Sequence, residues 1–178
     1  KPHIQTSSEG ERVPAADRLH LSQLLSPERI VIWNEPVRKE ALLRGLVETF
    51  GKSIGGRDPS EVMNAISERE EQGSTFFNEG AAFPHARIDG LPGSCVSLGL
   101  TRQGVSDEPT EKPIGLVFLI LSPAENPDEQ LKILAFASHA AQNRHLLQRL
   151  SSAPNPEAAM TAIQDWEEFH DSNKSKSS

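Results

Sequence analysis

The sequence predicts a layered α/β domain. Three observations carry that expectation: apolar stripes at helical spacing early in the chain, a cluster of β-leaning segments in the middle, and helical periodicity again after Pro127. Pro36 stands at the N-terminus of a first helix, whose stripe is Leu42, Leu43, Leu46, Val47 and Phe50 and which ends at Gly51. Pro59 opens a second helix with Val62, Met63 and Ile66 inward and Glu68–Glu71 toward water; Gly73 stops it. Short β-leaning pieces follow at Thr75–Phe77 and Ala81–Phe83, and Cys95–Thr101 alternates in part. Ile114–Leu121 is a continuous apolar run between Pro113 and Pro123, the pattern of a strand buried on both faces. Asp128–Gln142 is apolar on more than one side and predicts a well-buried helix. Arg144–Leu150 and Pro156–Trp166 predict two shorter ones.

A chain of 178 residues suits one domain with some length left over. Residues 1–18 lack apolar periodicity and read as a linker, 19–166 as the folding unit, and 167–178, Ser/Lys-rich from Asp171, as a tail. Because the chain starts at Lys1 rather than Met, the expectation is a module that hangs from another domain. Eighteen Lys and Arg against 25 Asp and Glu give a net charge of −7, which argues against nucleic acid as a partner. A single cysteine, Cys95, excludes an internal disulfide framework and fits a reducing, cytoplasmic compartment. The longest apolar run, Leu116–Leu121, falls far short of the ~20 residues a membrane helix needs, so direct membrane insertion is not expected. No signal-peptide pattern opens the chain.

Six histidines are the candidates for chemistry. His3 and His170 fall in the expected linker and tail, and His139 and His145 are spaced so that one helix would turn them to different faces. His20 has no carboxylate or cysteine at ligand spacing, and with one cysteine in the chain no metal site or cofactor is expected. Gly51-Lys52-Ser53 imitates the end of a phosphate-binding loop, but Leu46 stands where that motif needs its first glycine. His85 is different. It follows Pro84, which fixes φ and removes a donor, in the small-residue run Gly80-Ala81-Ala82-Phe83-Pro84-His85-Ala86-Arg87, and it reads as a histidine displayed on a stiff loop. Upstream, Arg69 closes a helix and Gly73-Ser74-Thr75 offers hydroxyls and backbone donors.

The run Arg69-Glu70-Glu71-Gln72-Gly73-Ser74-Thr75, followed by Asn78-Glu79-Gly80-Ala81-Ala82-Phe83-Pro84-His85-Ala86-Arg87, resembles the signature of type-2 IIA domains of the phosphoenolpyruvate:sugar phosphotransferase system. The resemblance is to the fructose, mannitol and nitrogen-regulatory branch, and it extends through Leu116–Leu121 and Glu129–Ala135, covering about Leu19 to Trp166. It implies a three-layer fold with a mixed central sheet of about five strands flanked by helices. It also implies that His85 accepts a phosphoryl group from a histidine phosphocarrier protein, with Arg69 beside it. A phosphoacceptor imidazole must be neutral with one nitrogen lone pair free. Phosphoryl transfer needs alignment and charge stabilisation, which the forked donors of Arg69 suit better than a lysine would. Ser74, Thr75 and Arg87 are the expected remainder of the phosphoryl cradle.

One departure stands out. Sugar-transporting members of the family place a second histidine at the start of the helix after the core strand, and this chain places Gln130 there. An amide donates a hydrogen bond but cannot become cationic, so the expected site is weakened and the expected role is regulation rather than sugar transport. The alternative is a non-catalytic control domain appended to a membrane ion transporter or antiporter in the same chain. A hydrolase using His85 with Glu79 or Asp89 lacks a persuasive nucleophile arrangement.

Overall fold

The computed structural model describes residues 19–77 and 79–176, so the expected linker at 1–18 lies outside the described residues. Its spine is a mixed sheet of five strands: β1 (Ile30–Trp33), β2 (Ala81–Ala82), β3 (His85–Ile88), β4 (Cys95–Thr101) and β5 (Leu116–Pro123). β4 and β5 pair antiparallel in the centre, β1 lies parallel to β4 on one side, and β2 and β3 both lie parallel to β5 on the other. β2 and β3 share one register against β5, Ala81 opposite Leu116 and His85 opposite Ile120. The break between them has a local cause. Pro84 has no N–H to give, and the N–H of Phe83 turns away to the Thr75 carbonyl at 3.0 Å.

Helices cover both faces, and alternation along the strands sorts the core into two halves. Val96, Leu98, Leu100, Phe118 and Ile120 face one way, onto α1 (Leu21–Leu24), α4 (Pro127–Gln142), α5 (Arg144–Ser151) and α6 (Pro156–Lys176). Cys95, Val117, Leu119 and Leu121 face the other, onto α2 (Lys39–Glu48) and α3 (Pro59–Glu71). Central strands covered on both sides are apolar at most positions, which is why β5 reads as a continuous apolar run, while β4 admits the small buried Ser97 among its apolar residues. The result is the three-layer α/β architecture the sequence led us to expect.

Several boundaries differ from the sequence pattern. The first helix starts at Lys39, not Pro36, because Val37 is drawn into a parallel bridge with Val105 and the Lys39 N–H is capped by Asp107 Oδ1 at 2.7 Å. Thr75–Phe77 is not a strand; only Phe76 bridges, to Ala82. The last helix passes Trp166 and runs to Lys176, through most of the stretch whose composition suggested a tail. Glu167 explains that extension: it is 3% exposed and accepts hydrogen bonds from Ser22 N at 3.0 Å and Ser22 Oγ at 2.5 Å, tying α6 to α1. Among the described residues no helix is long and apolar enough to cross a membrane.

Candidate functional site

α3 carries the first component. Its start is set by Asp58, whose carboxylate accepts the Ser60 N–H at 2.9 Å, and by Pro59 in the first turn. Thirteen residues later the helix ends, with Arg69 in its last turn. Gly73 then adopts φ +152°, a conformation L side chains rarely take, and presents its carbonyl to Arg69 Nη1 at 3.0 Å.

The sheet edge carries the second. His85 opens β3 rather than sitting on a loop, so the expectation of a loop-displayed ring is corrected: a strand begins directly after Pro84. By the strand alternation, Ala86 and Ile88 pack toward α3, and His85 and Arg87 point to the opposite face. β3 lies at the sheet edge, so the Arg69 guanidinium reaches the ring there, with Nε donating to His85 Nε2 at 3.2 Å.

Those contacts define the state of the imidazole. His85 Nδ1 lies 2.8 Å from the Phe83 carbonyl, and a carbonyl only accepts, so the proton is on Nδ1. Nε2 therefore holds the free lone pair, the one on which Arg69 donates. Burial first, and then the Arg69 and Arg87 charges, hold the ring below the ordinary histidine range; the Phe83 bond and the Glu70 carboxylate pull the other way. The balance is a neutral, half-buried imidazole with the Arg69 guanidinium on its Nε2, an arrangement suited to receiving a dianionic phosphoryl group.

The remaining expected residues divide. Ser74 is exposed and its Oγ accepts the Phe76 N–H at 3.2 Å, leaving its own proton to donate. Thr75 is corrected: it is 3% exposed, and both its N–H and its hydroxyl are spent on the Glu70 carboxylate rather than turned to His85. Gln130, in the first turn of α4, lies on the same face of the sheet as His85; it is 7% exposed and its Nε2 has no hydrogen-bond partner. A buried amide donor left unpaired is costly and is satisfied only by an incoming acceptor or water.

Other histidines do not join this site. His139 and His145 lie on two helices, α4 and α5. His20 does have carboxylate company, which local spacing hid: its Nε2 is 3.3 Å from Asp171 Oδ2. His170, placed in a tail by composition, stacks on Trp166 with centroids 5.5 Å apart. Among the described residues no cluster of three His, Cys, Asp or Glu side chains is placed to hold a metal ion. The sequence reading missed Glu70 and Phe83 as functional positions; the adjacency of Glu70 to Arg69 was the available signal.

Comparison with known proteins bears on the family and the fold. The family model described as phosphoenolpyruvate-dependent sugar phosphotransferase system, EIIA 2, matches residues 23–166. A nitrogen regulatory protein of Pseudomonas aeruginosa is 28% identical over 149 residues, 83% of this chain and 96% of that protein. A fructose-specific EIIA component of Haloferax volcanii is 24% identical over 148 residues, again 83% of this chain and 96% of its own. The crystal structure of the nitrogen regulatory protein IIA-Ntr from Neisseria meningitidis superposes with a TM-score of 0.71 at 22% identity, covering 80% of this chain and 98% of that one.

Proposed function

The chain belongs to the EIIA type 2 family of the phosphoenolpyruvate-dependent sugar phosphotransferase system, and from that premise we propose that it is a histidine phosphoacceptor with a regulatory role. The observation that carries the reading is the Nδ1–H bond from His85 to the Phe83 carbonyl, which leaves Nε2 nucleophilic. In the proposed reaction a phosphohistidine on a small phosphocarrier protein approaches the sheet edge. His85 Nε2 attacks phosphorus as the donor's P–N bond breaks, and the donor ring leaves with that electron pair as a neutral imidazole. The proton stays on Nδ1, hydrogen-bonded to the Phe83 carbonyl, so the phosphorylated ring carries a positive charge against two negative charges on the phosphoryl group. Arg69, which lies on Nε2 beforehand, shifts from the ring nitrogen to the phosphoryl oxygens, with Arg87 and the Ser74 hydroxyl as further donors.

Gln130 supports the regulatory side of the reading. Its unpaired amide can meet a phosphoryl oxygen but cannot carry the charge of a second histidine. Gln130 also supports a second reading, in which the domain controls a transporter in the same chain without turnover. One experiment separates them. Incubation with labelled, phosphorylated carrier gives acid-labile, base-stable phosphate on the protein and none on His85→Ala if His85 is the acceptor. An unlabelled wild type, or label that survives His85→Ala, overturns the phosphoacceptor reading.

A further inference from the structure

Both nitrogens of His85 are held by groups that trace back to one ion pair at the end of α3. The Arg69 guanidinium on Nε2 is steadied by the Gly73 carbonyl, and the Phe83 carbonyl on Nδ1 belongs to a residue whose own N–H donates to the Thr75 carbonyl at 3.0 Å. Gly73 and Thr75 are two ends of one short turn. That turn is pinned by Glu70, which accepts the Thr75 N–H at 3.2 Å and the Thr75 hydroxyl as well. Glu70 in turn accepts from Nζ of Lys39, the first residue of α2, at 3.0 Å.

Lys39 is unusually constrained for a lysine. Its ammonium also pairs with Glu108 at 2.9 Å and sits 4.3 Å above the centroid of the ring of Phe76, the residue that follows the turn. Its backbone N–H is capped by Asp107. The lysine side chain is 22% exposed and that of Glu70 10%, so the pair is shielded from water and holds its geometry better than an exposed pair does. Removing the ammonium leaves a nearly buried carboxylate uncompensated, the situation most prone to rearrange.

We propose that Lys39 is a positioning residue for His85: through Glu70 it fixes the Gly73–Thr75 turn, which orients Arg69 on Nε2 and Phe83 on Nδ1. The inference rests on the phosphoacceptor reading for its rate prediction, but its tautomer prediction stands without it. Lys39 touches neither the ring nor the incoming group.

The test compares full-length Lys39→Met, Lys39→Arg and Glu70→Gln with wild type, and adds Glu167→Ala as a destabilised variant remote from the site. Two readouts are taken on folded protein: the His85 tautomer and titration by ¹⁵N NMR, and the rate of phosphorylation by labelled carrier at pH 7 and pH 9. Lys39→Met is expected to mix the Nδ1–H and Nε2–H tautomers and to slow phosphorylation ~10-fold at both pH values, since the loss is one of alignment. Lys39→Arg restores most of both, and Glu167→Ala changes neither. If Lys39→Met does not fold, Glu70→Gln is read by the same criteria. A wild-type tautomer and rate in Lys39→Met, or losses no larger than those of Glu167→Ala, overturn the proposal. If the wild type takes no label at all, the phosphoacceptor reading fails, and the tautomer comparison alone decides the role of Lys39.

Discussion

His85 donates its Nδ1 proton to the carbonyl of Phe83, two residues earlier in the same strand lane, at 2.8 Å. The contact is short-range in sequence, yet it selects which ring nitrogen is nucleophilic. It exists because Pro84 interrupts the ladder between β2 and β3 and frees the Phe83 peptide from β5. The Phe83 ring stacks on Phe118 with centroids 6.2 Å apart and planes 8° apart, which anchors that peptide to the core.

Arg69 is the group that meets developing charge. Arg69→Ala is expected to slow phosphorylation by the carrier ~100-fold, the scale seen when one positioned donor to a transition-state oxygen is lost. Arg69→Lys keeps the charge without the fork and recovers only part of the rate. Rapid-quench kinetics with labelled carrier measure both.

The half-buried, neutral imidazole makes stability depend on pH in a defined direction. The native state resists protonating His85, whereas the unfolded chain protonates it near the ordinary value of about 6.5. Below that value the unfolded state binds the extra proton, so the stability this group contributes is complete above about pH 6.5 and is lost as pH falls through the depressed native value. Denaturant titrations between pH 5 and 7.5 should show a shallower decline in His85→Asn than in wild type.

Gln130 lies in the first turn of α4 with a buried, unpaired amide. Gln130→His should speed phosphorylation or lengthen the lifetime of the phosphorylated form, because a cationic donor contributes about 1.5–3 kcal/mol where a neutral one contributes about 0.5–1.5. Unchanged rate and lifetime, followed by decay of the label, mean that Gln130 does not face the phosphoryl group.

Cys95 lies on β4 against α2 and α3, where burial pushes its thiol up to about 11 despite the nearby Arg29 charge. Alkylation of the native protein at pH 7.5 should proceed at the rate of opening and accelerate to that of a free thiol in denaturant. Fast native labelling contradicts the packing of that face.

Glu167 links the two ends of the described chain. Glu167→Ala leaves the Ser22 donors without their acceptor and should destabilise the fold by about 1–3 kcal/mol in a denaturant titration, with no effect on phosphorylation.

The elements visible in the sequence are those whose signal is local. β4, β5, α3, α4 and α5 were legible because each carries its own apolar run or stripe, and α3 also carries its own Asp58–Pro59 start. What escaped depends on distant partners. Asp107 caps α2 from 68 residues away, and Ser22 satisfies Glu167 from 145 residues away, so neither the start of α2 nor the reach of α6 shows in its own composition. The proximity of Arg69 and His85 was legible through the motif that joins them. Thr75 was misplaced because a hydroxyl near a phosphoryl motif reads as a ligand, and only the structure reveals that Glu70 has claimed it.

The central claim is the identity of one atom. The protein, ¹⁵N-labelled at its histidines and phosphorylated by the carrier, can be examined by long-range ¹H–¹⁵N and ³¹P correlation to locate the phosphorus–nitrogen bond. The account predicts phosphorus on Nε2 of His85 with the proton retained on Nδ1. Phosphorus on Nδ1, or on any other residue, contradicts it.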